Sequence, residues 1–244
     1  NERFETTDFS RMVTTAIGGA PAALPLLQMW ETVGCPLVQA FGMTETSPMV
    51  TSISPEMAVM KAGSAGLAAM NTAIRIVGED GNDVAAGEIG ELWCKGPNIT
   101  PGYWNNPEAT AEAITDGWLH TGDAAQMDED GHMYIVDRWK DMYISGGENV
   151  YPAEIESVLL AHDKIADVGV IGIPSERWGE SPLAAIVPSD DSLTSEEVIE
   201  FCKGKLAPFK SVKSVVFVTE LPRNPSGKIL KRELRERFAD LRAN

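Results

Sequence analysis

Five short stretches of this sequence carry residue types that could handle a phosphate-bearing small molecule. Gly18-Gly19-Ala20-Pro21 closes a β-rich run from Met12 to Ile17. Glycines there let a flat ring or a phosphate approach the backbone closely, although Gly-Gly before a helix is also an ordinary turn. Phe41-Gly42-Met43-Thr44-Glu45-Thr46 sets a hydroxyl beside a carboxylate. Such a pair can bind a phosphate oxygen and its Mg²⁺, an ion that favours one or two carboxylates plus substrate phosphates; a polar loop with an incidental Glu reads the same way. In Trp118-Leu119-His120-Thr121-Gly122-Asp123, ionised Asp123 is acceptor-only and could take both hydroxyls of a ribose, or form a turn after Gly. Asp137-Arg138-Trp139-Lys140-Asp141 runs on to Ser145-Gly146-Gly147-Glu148-Asn149, whose adjacent glycines suit a tight turn or the wall of a narrow tunnel. Finally, Pro222 to Ile229 presents Lys228 on a turn ahead of a helix. This is not a P-loop, because the upstream Gly and the following Ser or Thr of GxxxxGK(S/T) are missing.

The elements that must position these residues change character along the chain. A strand over Met12–Ile17, a helix over Ala22–Val33 and a strand over Pro36–Phe41 give the order of a parallel α/β layer. From Ala73 to Asp137, short β runs alternate with Gly/Asp/Asn turns, as expected of a β-subdomain of barrel-like form. One helix interrupts them, with Asn106 as N-cap, Pro107 at its first position and Glu108 complementing its dipole. After Asp137 the pattern is α+β: a helix opened by Pro152, strands over Ile165–Ile173 and Leu183–Val187, and a helix from the Thr194/Glu197 capping box through Leu206. A strand over Ser214–Thr219 follows, then a last helix with Leu230, Leu234, Phe238 and Leu241 on one stripe.

Composition narrows the chemistry. With 244 residues the chain is long enough for one large domain or two ordinary ones. A net charge of -16 argues against a nucleic-acid partner, whose phosphates it would repel. From Lys203 onward, however, Lys and Arg dominate, so a local basic surface could serve a small phosphorylated ligand or be only a solvated helix face. Cys35, Cys94 and Cys202 are scattered and odd in number, which predicts reduced, buried thiols and a cytoplasmic protein. No apolar run approaches the roughly 18 residues of a membrane span. The first residues, Asn-Glu-Arg-Phe-Glu, read as a cut from a longer protein. The three histidines support no metal site: His132 and His162 have no partners at ligand spacing, and His120 abuts the Gly122-Asp123 stretch as a packing residue.

Taken in order, the stretches GGAP, FGMTE, GELWCKGPNITPGYWNNPEAT, DGWLHTGD, DRWKDMYISGGENVYPAEIE and PRNPSGKILKREL resemble the adenylate-forming superfamily. That group includes acyl- and aryl-CoA synthetases, luciferases and the adenylation domains of peptide synthetases. The likeness runs from about Thr15 to Leu234. GGENVYPAEIE followed by Trp178-Gly179-Glu180, with no peptidyl-carrier domain, looks most like the fatty-acyl-CoA synthetases.

The resemblance implies an α/β plus α+β protein. Residues 1–137 would end a large AMP-binding domain, 138–141 would be a hinge, and 142–244 would be a small mobile domain. Gly19, Ala20, Phe41, Gly42, Met43 and Thr44 would bind the nucleotide, Glu45 the Mg²⁺, and Asp123 the ribose hydroxyls. Arg138 would contact ribose or phosphate, and Lys140 would be the pivot. Gly146, Gly147 and Glu148 would line the coenzyme A path, and Lys228 would be the adenylation lysine. The implied reaction joins a medium- or long-chain fatty acid to coenzyme A, consuming ATP and releasing AMP and pyrophosphate.

The residue types suit that chemistry. A carboxylate attacking the α-phosphate is anion meeting anion, so rate must come from alignment and from placed positive charge. Lys228 would supply a point ammonium, and Mg²⁺ on Glu45 would assist departure of pyrophosphate. Thiol attack needs no such lysine, which a domain rotation would replace by the glycine turn. The Ser/Thr/Gly-rich triphosphate loop of the family is absent, and Ile144 stands where some relatives carry a phosphate-contacting Lys. The expectation is an inactive fragment of an active enzyme. An aryl-acid-CoA ligase and a non-catalytic docking protein are the alternatives. Expected partners are the acid, ATP and coenzyme A; membrane contact by a longer protein is left open.

Overall fold

Thr15–Ile17 (β1) lies parallel to Leu37–Gly42 (β2), with Ile17 opposite Gln39, and Leu24–Thr32 (α1) makes the crossover between them. The fold is seen in a computed structural model that describes every residue except 1–3, 5, 20, 21, 226 and 244. Leu27 is the buried residue of α1, and it packs with Ala22 and Leu37 against the strand pair. Met49–Ser52 (β3) and Leu67–Ala68 (β4) extend the sheet antiparallel, in the order β1-β2-β3-β4.

A second sheet follows. It contains Ala73–Val77 (β5), Ile89–Lys95 (β6), Ile114–Thr115 (β7), Trp118–Met127 (β8) and Met133–Arg138 (β9). The order is β5-β6-β8-β7, with β9 also on β8. It is an antiparallel sheet in which β9 joins β8 and makes no pairing with β5, so the barrel-like closure expected from the sequence is absent among the described residues. Pro107–Ala113 (α2) precedes β7 as anticipated, the Asn106 side chain accepting from Ala109 N at 3.1 Å. Alternation along β6 and β8 sends Leu92, Cys94, Leu119 and Ala125 inward to bury apolar surface.

The chain divides into two units, Asn1–Val136 and Asp137–Asn244. In the second, Tyr143–Ser145 (β10) and Glu148–Val150 (β11) form a hairpin, followed by Pro152–Leu159 (α3), Ile165–Ser175 (β12), Gly179–Pro188 (β13), Ser195–Cys202 (α4), Ser214–Phe217 (β14) and Lys231–Arg237 (α5). The sheet order is β11-β10-β13-β12, with β14 parallel to β13. Its two faces have separate cores. Val168, Val170, Ala184 and Ile186 pack with α3 and α4, while Ile171, Ile173, Leu183 and Ala185 pack with Leu234 of α5. A period of two residues puts neighbouring positions on opposite faces, which is why β12 and β13 read as almost unbroken apolar runs.

Three helices are shorter than the sequence suggests, the first being α1, which spans Leu24–Thr32 rather than Ala22–Val33. Thr194 caps α4 as expected, accepting from Glu197 N at 3.2 Å, but the helix stops at Cys202 rather than Leu206: Lys203 turns extended, with a ψ of 132°, and Gly204 follows with a φ of 74°. α5 ends at Arg237, leaving Phe238 as its C-cap and Leu241 beyond it. Cys35, Cys94 and Cys202 are free and buried, and burial pushes the Cys94 thiol up to about 12. No helix of the described residues is long and apolar enough to cross a membrane.

Candidate functional site

In the first unit, two loops leave the same end of the parallel pair β1/β2, the carboxyl edge at which open α/β sheets receive ligands. Gly18 and Gly19 follow β1, and a buried Gln39 on β2 holds the loop by accepting from Ala22 N at 2.8 Å. Ala20 falls outside the described residues. Gly42 ends β2 where a Cβ would stand 1.7 Å from the Pro48 carbonyl oxygen, so no other residue fits. Thr44–Thr46 then form a 3₁₀ turn, closed by Thr46 Oγ1, which accepts from Met43 N at 3.0 Å and can donate to Pro48 O at 2.8 Å.

That turn carries Glu45 and is supported from outside it. Asn98 Nδ2 donates to Thr46 O at 2.9 Å, and Thr100 N donates to the Glu45 carbonyl at 2.8 Å. The Glu45 carboxylate itself accepts from the Tyr103 hydroxyl at 2.9 Å. Phe41 and Met43 turn partly inward to the core of the second sheet, whereas Thr44 is exposed. The Phe41 ring packs on clusters that include Leu119 and Ala125 of β8, which flank Asp123 along the strand. Asp123 is buried, and its backbone N–H donates to Thr121 Oγ1 at 3.2 Å. Thr121 is fixed in turn by donating to Leu92 O at 2.7 Å. His120 stacks on Trp93 with ring centroids 3.9 Å apart.

In the second unit, the Gly146-Gly147 turn closes the β10–β11 hairpin with φ values of 63° and 86°. Two positive φ values are those of a type I′ turn, whose twist suits a two-residue hairpin. Gly146 N donates to Trp178 O at 2.8 Å, and a Cβ at Gly146 would meet Trp178 Cε3 at 2.8 Å. The guanidinium of Arg177 lies 5.0 Å and the ammonium of Lys213 6.0 Å from the Trp178 ring. Glu148 is exposed just after the turn. Arg138 and Lys140 are exposed near the start of the unit, Lys140 within a 3₁₀ turn, Trp139–Asp141.

Lys228 sits near the end of a hairpin-like loop. Asn224 N donates to Lys228 O at 3.0 Å, Lys228 N donates to Asn224 Oδ1 at 2.9 Å, and Leu230 N donates to Pro222 O at 2.8 Å. Arg223 braces the loop by donating to Gly227 O and to Asp167 on β12. Lys228 is exposed, and its ammonium has no acceptor among the described residues. It is a placed charge without an internal counter-ion.

Thus the structure gathers the Gly19 loop and the Phe41–Glu45 turn at one sheet edge of the first unit, with Asp123 on β8. It carries Arg138, Lys140, the glycine turn and Lys228 on the second. Sequence reasoning missed Gln39, Asn98 and Tyr103, because each acts through a contact distant in sequence. It also missed that His132 has acidic neighbours: Asp128, Asp130 and His132 place ligand-type atoms within 4.8 Å of one another. Lys61 meets that cluster with its own positive charge, 2.8 Å from Asp128 and 2.7 Å from Asp130. The arrangement is a lysine-clamped turn.

Comparison with known proteins adds the following. Residues 1–104 match the family described as AMP-binding enzyme, and residues 154–228 match the AMP-binding enzyme C-terminal domain. A 2-succinylbenzoate–CoA ligase of Bacillus cereus is 48% identical over 220 residues, which cover 90% of this chain and 45% of that protein. The o-succinylbenzoate CoA synthetase MenE of Bacillus subtilis, solved with its acyl-adenylate intermediate OSB-AMP, is similar with a TM-score of 0.86 and 38% identity. That match covers 96% of this chain and 48% of the other, and the same enzyme has been solved with ATP and a magnesium ion. A Mycobacterium tuberculosis fatty acyl CoA synthetase is 41% identical with a TM-score of 0.63, covering 98% of this chain and 48% of that one. The chain spans about half the length of the curated relatives it matches.

Proposed function

This chain belongs to the AMP-binding enzymes, and from that premise we propose that it is the C-terminal half of an acid–CoA ligase acting on an aryl acid of the 2-succinylbenzoate class. The observation that carries the reading is the 48% identity to a 2-succinylbenzoate–CoA ligase along 90% of the chain. It moves the preference from the fatty acid expected from the sequence to the aryl acid held there as the alternative. The motifs taken to suggest a fatty-acid enzyme belong to the shared chemistry, so they do not distinguish the acids.

In this reading ATP lies against the Gly19 loop and the Phe41–Thr44 segment, and Asp123 accepts from the ribose hydroxyls. Glu45, steadied by Tyr103, is the carboxylate suited to Mg²⁺, a hard cation that takes oxygen ligands. Held there, Mg²⁺ would supply positive charge to the phosphates. Lys228 brings its ammonium to the attacking carboxylate and the α-phosphate, where negative charge develops. Asp137, placed by the sequence reading at the end of the large domain, is bonded to Ala153 and Lys231 and counts here with the second unit; residues 138–141 form the hinge. Rotation there exchanges Lys228 for the Gly146-Gly147 turn, whose lack of side chains leaves a path for the pantetheine arm of coenzyme A.

A fatty acid remains the second reading, favoured by the 41% identity to the M. tuberculosis enzyme. Acid-dependent ATP–pyrophosphate exchange in an enzyme that carries this chain as its C-terminal half decides between them. The panel should hold 2-succinylbenzoate, simpler benzoates, and medium- and long-chain fatty acids. Stimulation by the aryl acids is expected. Stimulation only by fatty acids moves the assignment to the second reading, and stimulation by none of them overturns both.

A further inference from the structure

Three ionisable side chains meet inside the second unit. Lys231, the first residue of α5, is 8% exposed. Its Nζ lies 3.0 Å from Glu156 Oε1 on α3 and 3.9 Å from Asp137 Oδ1. Each carboxylate is itself fixed by backbone. Glu156 Oε1 accepts from Val170 N on β12 at 2.8 Å. Asp137 accepts from Arg138 N through one oxygen and from Ala153 N, in the first turn of α3, through the other, both at 2.7 Å. Lys231 therefore joins three points of the chain: the residue before Arg138, helix α3, and the end of the loop that carries Lys228 three positions away.

The other side of that loop is held by Arg223 on Asp167. Close approach is also provided for: a Cβ on Gly169 of β12 would stand 2.9 Å from Leu234 Cδ1, so the glycine leaves α5 room to lie against the strand. Burial pushes the Glu156 carboxyl up, and Lys231 opposes that shift. Two carboxylates facing one ammonium in a buried site is an arrangement that stability does not require, since well-packed apolar residues of similar volume often serve as well or better. What the cluster does fix is direction, because each charge has one set of partners.

We propose that Lys231, acting with Glu156 and Asp137, is a positioning residue for Lys228, holding the lysine loop and the Arg138 backbone in one fixed arrangement within the second unit. The proposal rests on the adenylation role proposed above for Lys228. An ammonium that must meet two anions at once tolerates little displacement, and misplacement by about 1 Å from a change away from the chemistry can cost on the order of 100-fold.

The test uses the complete enzyme and four variants: Lys231→Met, Lys231→Arg, the double variant Lys231→Met/Glu156→Gln, and Lys228→Ala. Lys231→Met alone strands buried carboxylates and can unfold the unit. The double variant removes one of those charges together with the tether, so its thermal transition should stay close to that of the parent. Acid-dependent ATP–pyrophosphate exchange by the double variant should fall on the order of 10- to 100-fold in kcat, with KM for ATP little changed. Thiolation of supplied acyl-adenylate should keep the parent rate, and Lys231→Arg should recover most of the exchange. Exchange at the parent rate in the folded double variant, or an equal fall in both half-reactions, overturns the positioning role. Lys228→Ala separates the premises. Exchange retained there overturns the adenylation role itself, whereas exchange lost there but kept in the double variant overturns the positioning role alone.

Discussion

The hydroxyl of Tyr103 donates to Glu45 Oε1 at 2.9 Å, although 58 residues separate the two in sequence. A donor on one carboxylate oxygen fixes the plane of the group and so the direction in which the other oxygen points. Groups that orient a metal-binding carboxylate in this way commonly contribute about 10- to 100-fold in metal affinity. Tyr103→Phe should therefore raise the Mg²⁺ concentration needed for half-maximal pyrophosphate exchange about tenfold, with little change at saturating Mg²⁺. An unchanged Mg²⁺ dependence would show that Tyr103 does not orient this carboxylate for the ion.

Lys228→Ala should cripple adenylation and largely spare thiolation of a supplied acyl-adenylate. Its ammonium is exposed and has no acceptor among the described residues, so truncation leaves no buried group unpaired and the fold should persist. Loss of a group aimed at developing charge typically costs on the order of 100- to 1,000-fold in kcat. Separate assays of the two half-reactions check this, and equal losses in both would count against the assignment.

Lys140 lies within the short Trp139–Asp141 turn at the start of the second unit. Lys140→Pro restricts φ to about −65°. If this is the pivot, one orientation of the second unit is trapped, so adenylation and thiolation respond unequally. A variant with both half-reactions intact places the pivot elsewhere.

The clamp of Lys61 on Asp128 gives a pH signature in the first unit. The Lys61 hydrogen bond is the main cause that holds the Asp128 carboxyl down from 3.8 to about 2. A depressed folded-state value means that the contribution to stability is present above 3.8 and is lost as pH falls through about 2. Lys61→Met should return the Asp128 midpoint toward 3.8, read from its carboxyl carbon resonance during acid titration. A midpoint that stays near 2 would mean that the backbone donors Asp130 N and His132 N set it instead.

Local signals in the sequence carried what they could. Asn106 and Pro107 mark the start of α2, and Thr194 marks that of α4, because caps are chosen by residues within one turn. Helix ends were less legible. The apolar stripe from Leu230 to Leu241 outruns α5, which stops at Arg237, since spacing reports a face and not where backbone bonding ends. β13 begins at Gly179, four residues before the apolar run, because its start is paired with Ser175 and Ser145. The loops of the site were visible as types in order. Their supports, Gln39, Asn98, Tyr103 and the partners of Lys231, depend on long-range contacts that periodicity does not encode.

The contact between Gly146 and Trp178 also restricts how this hairpin can evolve. Every substitution of a glycine installs a Cβ, and at Gly146 that atom would overlap the indole at 2.8 Å while its backbone keeps a φ of 63°. Gly147 has the same handedness but open space, so a side chain there would meet backbone strain alone, least for Asn or Asp. A side chain at Gly146 therefore faces two separate obstacles, the indole of Trp178 and its own backbone angle, and a smaller residue at 178 would lift only the first.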